Sequence, residues 1–152
     1  MKNCVTLTMA LLFALSTITA VAQNATGAKP KLFSSFPQQI ICSEAELSKA
    51  FTAAANQNIN LSFSDNFLFG GMVTSNVIKY DNLQSVVIKS SVFGDAIFAL
   101  SRITNADKSI SYVGRIINKK YFDGYELKQD ANNIYQLIKI ETDTVIQDCS
   151  HN

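Results

Sequence analysis

Hydrophobic positions change their period twice along this 152-residue chain, and each period predicts a different element. Apolar residues first form an almost continuous run over residues 5–22, interrupted only by Thr and Ser. A short stretch then shows the spacing of one helix face. From Ile59 onward apolar and polar residues alternate, which is the pattern of strands with one buried face. The residues with helical spacing are Leu47, Ala50, Phe51 and Ala54.

The first apolar run has the composition of a secretory signal peptide. Lys2 is the only charge before it, and Ala20-Val21-Ala22 supplies the small-x-small pattern that a signal peptidase cleaves. A transmembrane anchor is the alternative, but it needs about 20 predominantly apolar residues, and hydroxyl residues weaken this run. We therefore predict that residues 1–22 are removed, and that the protein is secreted or periplasmic and of bacterial origin.

The length of the chain after the predicted signal peptide indicates a single domain, and its charge bears on the class of partner. Removing 22 of the 152 residues leaves 130, enough for one hydrophobic core. We predict a flexible tether over 23–36, anchored by Phe33 and Phe36, and one domain over 37–152. The formal net charge of +1 includes Lys2, so the mature chain is close to neutral. It lacks the basic excess typical of a nucleic-acid-binding protein.

Ser43 begins the predicted helix. Ser43-Glu44-Ala45-Glu46 matches a capping box, in which the Ser43 hydroxyl accepts a hydrogen bond from the first turn and Glu46 reaches back to the Ser43 amide. The Gly70-Gly71 pair indicates a tight hairpin or a bulge. Residues 95–104 fit either a helix or a strand, and the neighbouring strands favour a strand. The other predicted strands cover 38–42, 59–64, 67–69, 72–80, 83–91, 110–118, 125–128, 134–141 and 144–149.

Turn residues recur between these segments, so neighbouring strands should pair antiparallel as a meander. We predict an α+β fold, with one N-terminal helix packed on a twisted antiparallel sheet of about six or seven strands.

Two cysteines, Cys42 and Cys149, remain after cleavage. An oxidising compartment allows them only one intramolecular pairing. We predict a Cys42–Cys149 disulfide, and two separate thiols are the alternative.

The remaining residues argue against catalysis and against a metal or cofactor. His151 is the only histidine and stands next to the C-terminus, where residues are usually poorly held. Glycoside-type hydrolysis needs two carboxylates in a cleft, but the candidate pairs lie in turns or at strand ends. A Ser-Lys dyad fails because adjacent strand residues point to opposite faces. The residues considered are Asp123 with Glu126, Asp65 with Asp81, and Ser90 or Ser91 with Lys89.

One apolar cluster is a candidate interaction patch: Phe67, Leu68, Phe69 and Met72. Exposed apolar patches often mark binding sites, and the alternative is that the cluster belongs to the core. We expect an exported, non-enzymatic binding or protein-interaction module whose partner is another protein or an envelope component. A small carboxylate-dependent hydrolase and a structural subunit of an envelope assembly are the alternatives. We expect no nucleic-acid partner and no transmembrane segment in the mature chain.

Overall fold

The computed structural model describes residues 29–142, and most of that stretch is antiparallel strand. The predicted signal peptide and the predicted strand 144–149 lie outside the described residues. One helix, α1 (Glu44–Lys49), continues into a 3-10 turn over Ala50–Thr52. The strands are β1 (Gln39–Cys42), β2 (Asn58–Ser64), β3 (Phe67–Tyr80), β4 (Leu83–Ser90), β5 (Ile97–Thr104), β6 (Ile110–Ile117), β7 (Asp123–Gln129) and β8 (Tyr135–Glu141).

The eight strands form one sheet that curls almost into a closed barrel. From β2 to β8 each strand pairs antiparallel with the next strand in the chain. β1 then pairs with β8, with Gln39 opposite Ile138 and Cys42 opposite Tyr135. This pairing brings β1 into contact with β2, the other edge of the sheet.

The predicted α+β fold is therefore wrong. The sheet has eight strands rather than six or seven, and no helix within residues 29–142 covers one of its faces. The physical reason is that the curled sheet buries its inward side chains against one another, so a helical layer is not needed. α1 spans only six residues and contributes one fully buried side chain, Leu47.

Aromatic rings fill much of the space inside the curled sheet. Phe33, Phe67 and Phe93 lie together, with ring centroids 5.2 Å apart for both Phe33–Phe93 and Phe67–Phe93. Phe69 and Phe98 continue the packing at 5.5 Å. Offset and edge-to-face pairs at these separations favour the core beyond simple area burial.

Ser43 caps α1 as predicted. Its hydroxyl accepts a hydrogen bond from the Glu46 amide at 3.3 Å. Ala50 and Phe51 are buried, as the helical spacing indicates, but Ala54 is exposed and Ala53 is buried instead. The chain tightens to three residues per turn at Ala50 and leaves the helix after Thr52, which ends the predicted face early.

The second half of the predicted capping box is wrong, because Glu46 turns away from Ser43. Its carboxylate accepts from the Ser62 amide on β2 at 2.9 Å. Three residues later, the Lys49 ammonium donates to the Asn60 carbonyl of the same strand at 2.8 Å. α1 therefore occupies backbone groups along the open edge of β2, a common protection of edge strands.

Residues 29–36, the described part of the predicted tether, lie against the sheet. The Asp123 carboxylate accepts from the backbone amides of Leu32 and Phe33 at 2.6 and 3.0 Å. The Lys139 ammonium donates to the carbonyls of Phe33 and Phe36. Phe33 is thereby held in the core, fully buried.

Two further local predictions have opposite outcomes. Residues 97–104 form β5, so the strand interpretation is confirmed. Gly70 and Gly71 form neither a hairpin nor a bulge, because both lie within the continuous strand β3. A Cβ atom on Gly71 would collide with the Lys89 carbonyl on β4, so the glycine there permits close approach of two strands.

Candidate functional site

The interior of the sheet is occupied by its own side chains. Val86 and Ile88 of β4, Phe98 and Leu100 of β5, and Ile116 of β6 point inward and are buried. Small-molecule carriers built on curled sheets hold ligand in this position. In this molecule a binding site has to be sought on the outside.

The predicted patch at 67–72 is not present at the surface in the predicted form. Phe67 and Phe69 are 1% and 0% exposed and belong to the core. Leu68 and Met72 are 47% and 41% exposed on the outside, but they stand opposite Ser62 and Asn58 of β2. Two separate apolar side chains among polar neighbours are ordinary for a protein surface.

The candidate carboxylate pairs do not come together. Asp123 is buried and bonds the amides of Leu32 and Phe33. Glu126 stands three positions along the same strand, which places it on the opposite face. Asp65 and Asp81 occupy the turns at the two ends of the 14-residue strand β3. No pair shares a cleft.

The serine and the lysine of the candidate dyad also have separate structural partners. The Ser90 hydroxyl accepts from the amides of Val92 and Phe93 at 3.1 and 2.9 Å, and it donates to the Gly70 carbonyl. The Lys89 ammonium lies 3.3 Å from the Asp95 carboxylate.

Within residues 29–142 no group of three or more His, Cys, Asp or Glu side chains could hold a metal ion. His151 lies outside the described residues.

Cys42 is the last residue of β1, opposite Tyr135 of β8, and its side chain is buried. Burial raises the pKa of its thiol to about 12, partly offset by a hydrogen bond involving the Leu137 backbone. Cys149 lies outside the described residues, so the disulfide stays a prediction. Peptide mass mapping without reductant checks it.

One part of the surface has unusually few charged residues: the outward side of β4, β5 and β6. Only two of its twelve outward positions carry a charge. All four outward positions of β2, by contrast, are polar and exposed: Asn58, Asn60, Ser62 and Ser64. We use the name outer face for these twelve residues: Leu83, Ser85, Val87 and Lys89 of β4, Ile97, Ala99, Ser101 and Ile103 of β5, and Ser111, Val113, Arg115 and Ile117 of β6.

β4 and β5 therefore have apolar residues on both sides. Inward they bury Val86, Ile88, Phe98 and Leu100, and outward they carry mostly aliphatic and small residues. Apolar residues on both faces are typical of strands that are covered on both faces. Within residues 29–142 no element covers the outside. Val113 of β6 is 49% exposed, and the large apolar residues of β4 and β5 on this side are half-buried.

The two serines at the centre of the outer face bond each other. The Ser85 and Ser101 hydroxyls lie 2.8 Å apart on adjacent strands, and Ser85 is only 9% exposed. Each hydroxyl thus has a partner within the protein. Covering this part of the surface would leave neither serine without a hydrogen bond, which removes a common cost of burial.

Two shallow grooves run in line along β5 and β6. The first, of about 440 Å³, is lined by apolar and small residues of β5, β6 and β7 together with charged ones: Ala99, Ser101, Val113, Gly114, Arg115, Glu126, Leu127 and Lys128. The second, of about 420 Å³, contains Ile97 and Ile117 and ends at Lys119 and Lys120. Ala99 pairs with Arg115, and Ile97 pairs with Ile117 two positions further along the two strands. The grooves therefore lie next to each other along the two strands, and we call the two together the trough.

A split between β6 and β7 shapes the first groove. The two strands pair only from Gly114–Leu127 to Ile116–Tyr125, although β6 begins four residues earlier. Beyond the split the Tyr112 amide donates to the Tyr135 hydroxyl at 3.0 Å instead of to a strand partner. The first groove lies at this split, where Gly114 of β6 and Leu127 and Lys128 of β7 line it.

Positive charge dominates the border of the trough. Arg115 and Lys128 both bind Glu126, at 2.6 and 2.9 Å, and hydrogen bonds from Lys128 and then Arg115 lower the pKa of that carboxyl. Among residues 29–142, Lys119 and Lys120 have no carboxylate partner. With the Lys89–Asp95 pair, five cations stand beside two carboxylates.

No protein-family model matches the chain, and neither the curated proteins nor the solved structures include a significant match to it. Within the described part of the chain, no helix has the length and apolar character needed to cross a bilayer.

The outer face was missed by the prediction from sequence, although the chain carries a signal for it. Between Leu83 and Ile103 alternation separates inward from outward residues, yet the outward set is nearly as apolar as the inward one. A solvent-facing strand such as β2 shows the expected contrast between its two sides. The lack of that contrast in β4 and β5 is visible in the amino-acid sequence alone.

Proposed function

We propose that this protein is an exported, non-enzymatic binding module that holds a segment of another protein against its outer face. The observation that carries the proposal is the low charge on the outward side of β4 and β5, where Lys89 is the only charged residue among eight. Exposed apolar surface rimmed by polar groups is typical of protein-interaction sites. Export rests on the signal peptide predicted from residues 1–22.

The size of the outer face favours a segment over a whole folded partner. Three strands about 4.8 Å apart, with residues rising about 3.3 Å each, span roughly 15 by 25 Å, or about 400 Å². A stable protein–protein interface buries about 800 Å² per partner. The outer face therefore fits an extended or helical segment lying along the trough.

The polar groups of the trough favour binding over chemistry. Glu126 is held by two cations, and Ser101 bonds Ser85. Nucleophilic catalysis needs a serine bonded to a base, and among residues 29–142 neither serine has one. These groups orient a bound segment.

Selection from a displayed library of random 12-residue peptides tests the proposal. We expect the intact protein to select peptides. We expect Val113→Asp to weaken their binding by about tenfold or more, since a charge placed in the lining of the first groove, inside an apolar contact, costs at least about 1.4 kcal/mol. Ser64→Asp, an outward substitution on β2, is the matched control and should change affinity less than twofold.

Circular dichroism of both variants confirms that they fold. Failure to select any peptide, or equal binding by Val113→Asp and the unaltered protein, would contradict the proposal.

A further inference from the structure

We infer that the segment bound on the outer face is acidic, with a carboxylate placed at Lys119 and Lys120. This inference rests on the proposed function and adds the chemistry of the partner. It is carried by the excess of cations over carboxylates at the trough, in a chain whose formal net charge is only +1.

The cations stand at two separate places along the trough. Lys119 and Lys120 line the end of the second groove, beside Ile117. Arg115 and Lys128 line the first groove and share the single carboxylate of Glu126. A segment lying along β5 and β6 therefore meets positive charge at one end and again near the middle, with aliphatic residues between.

The hydrogen-bond donors of Arg115 and Lys128 point to the same kind of partner as the excess of cations. The Arg115 Nε and Nη2 atoms both donate to the same Glu126 oxygen, and Lys128 donates to the other oxygen. Arg has five N–H donors and Lys has three, so donors remain after Glu126 is bonded. A partner rich in carboxylate oxygens matches this surface.

The shape and residue types of the outer face favour a protein segment over an anionic membrane. None of its twelve outward residues is aromatic, whereas surfaces that insert into the lipid headgroup region carry Trp, Phe and Leu on a projecting face. The outer face instead contains two depressions between its strands. Depressions accept side chains from a bound segment.

The peptides selected on the unaltered protein test the inference directly. We expect Asp and Glu to be enriched in them and grouped toward one end. We expect the double variant Lys119→Glu, Lys120→Glu to weaken their binding by about tenfold or more at low salt, with the difference shrinking as salt screens the charges. Lys79→Glu, on the β3–β4 hairpin, is the matched control and should have a much smaller effect.

Three results would overturn the inference. They are selected peptides without acidic residues, binding that the double variant leaves unchanged, and capture of phosphatidylglycerol vesicles that Val113→Asp abolishes while acidic peptides do not bind. The first two results can occur while Val113→Asp still abolishes peptide binding. In that case the proposed function stands and only the acidic partner is lost.

Discussion

Asp123 has the residue type of a catalytic acid, and its surroundings give it a structural role. Its two oxygens accept from the amides of Leu32 and Phe33, about 90 positions earlier in the chain. Because those amides have no strand partner, the carboxylate satisfies backbone groups that burial would otherwise leave unpaired. The contact holds Phe33 in the aromatic core.

Asp123→Asn should lower the free energy of unfolding by about 1.5–3 kcal/mol, because an amide offers one acceptor oxygen where two charged acceptors are used. Urea denaturation followed by circular dichroism measures the change. Asp65→Asn, in the exposed β2–β3 turn, is the control and should stay within about 0.5 kcal/mol. Equal effects of the two substitutions would show that Asp123 does not anchor the N-terminal segment.

Tyr125 makes the fold sensitive to alkaline pH. Burial, with a smaller contribution from the Asp123 charge, raises its pKa from 10.0 to about 12, and its hydroxyl donates to the Pro37 carbonyl at 2.6 Å. The unfolded chain loses the phenolic proton first. The stability that Tyr125 contributes is therefore complete below pH 10 and is lost as pH rises from about 10 to 12.

We expect the urea midpoint to fall over that pH range and to fall less steeply in Tyr125→Phe. Tyr80→Phe, at an exposed tyrosine, is the control and should keep the slope of the unaltered protein. Burial also raises the pKa of Tyr135, so part of the slope should remain in Tyr125→Phe. An unchanged slope in that variant would contradict the assignment.

Among the elements, strands were predictable where alternation was strong. The pattern at Ile59, Leu61 and Phe63 located β2, and the Ser43 cap located the start of α1. The number and arrangement of strands were not predictable, because local periodicity does not show whether a sheet lies flat under a helix or curls on itself. The clue that the sequence did carry is its ten phenylalanines and five tyrosines, a large aromatic content for a sheet packed against one short helix.

The candidate patch failed for a related reason. Alternation puts Phe67 and Phe69 on one side and Leu68 on the other, but it does not say which side is inside. A break in the strand at Gly70 and Gly71, as their residue type predicted, would separate the cluster from the residues that follow. Because β3 is continuous to Tyr80, both phenylalanines share the inward face of a single 14-residue strand.

The two glycines of β3 should differ in their tolerance of a methyl group. On Gly71 the new Cβ would meet the Lys89 carbonyl, which the β3–β4 pairing fixes, so Gly71→Ala should destabilise the fold by about 1–3 kcal/mol. On Gly70 it would meet the Asn60 side-chain oxygen at 2.6 Å, and that side chain rotates away. Gly70→Ala should cost under about 0.5 kcal/mol, and thermal unfolding of both variants compares them.

At the scale of the whole molecule, the limited area of the outer face argues against a stable dimer formed through it, and we expect a monomer. An area of about 400 Å² per partner is half of what a standard stable interface uses. Sedimentation velocity at micromolar concentration should therefore show a single species of one chain. A dimer that Val113→Asp dissociates would show that a second copy occupies the outer face, and the proposed segment would have to be abandoned.

The pairing of β1 with β8 has a consequence for how the chain folds. Gln39 and Gln136 bond each other across 97 positions of sequence, so the sheet cannot close until almost the whole described chain is present. Among the described strands, β1–β8 is the one pairing between segments distant in sequence, and it carries a loop-closure entropy that the pairings of consecutive strands do not. The curled sheet is therefore completed only after β8 has been synthesised, and until then β1 has no strand to pair with.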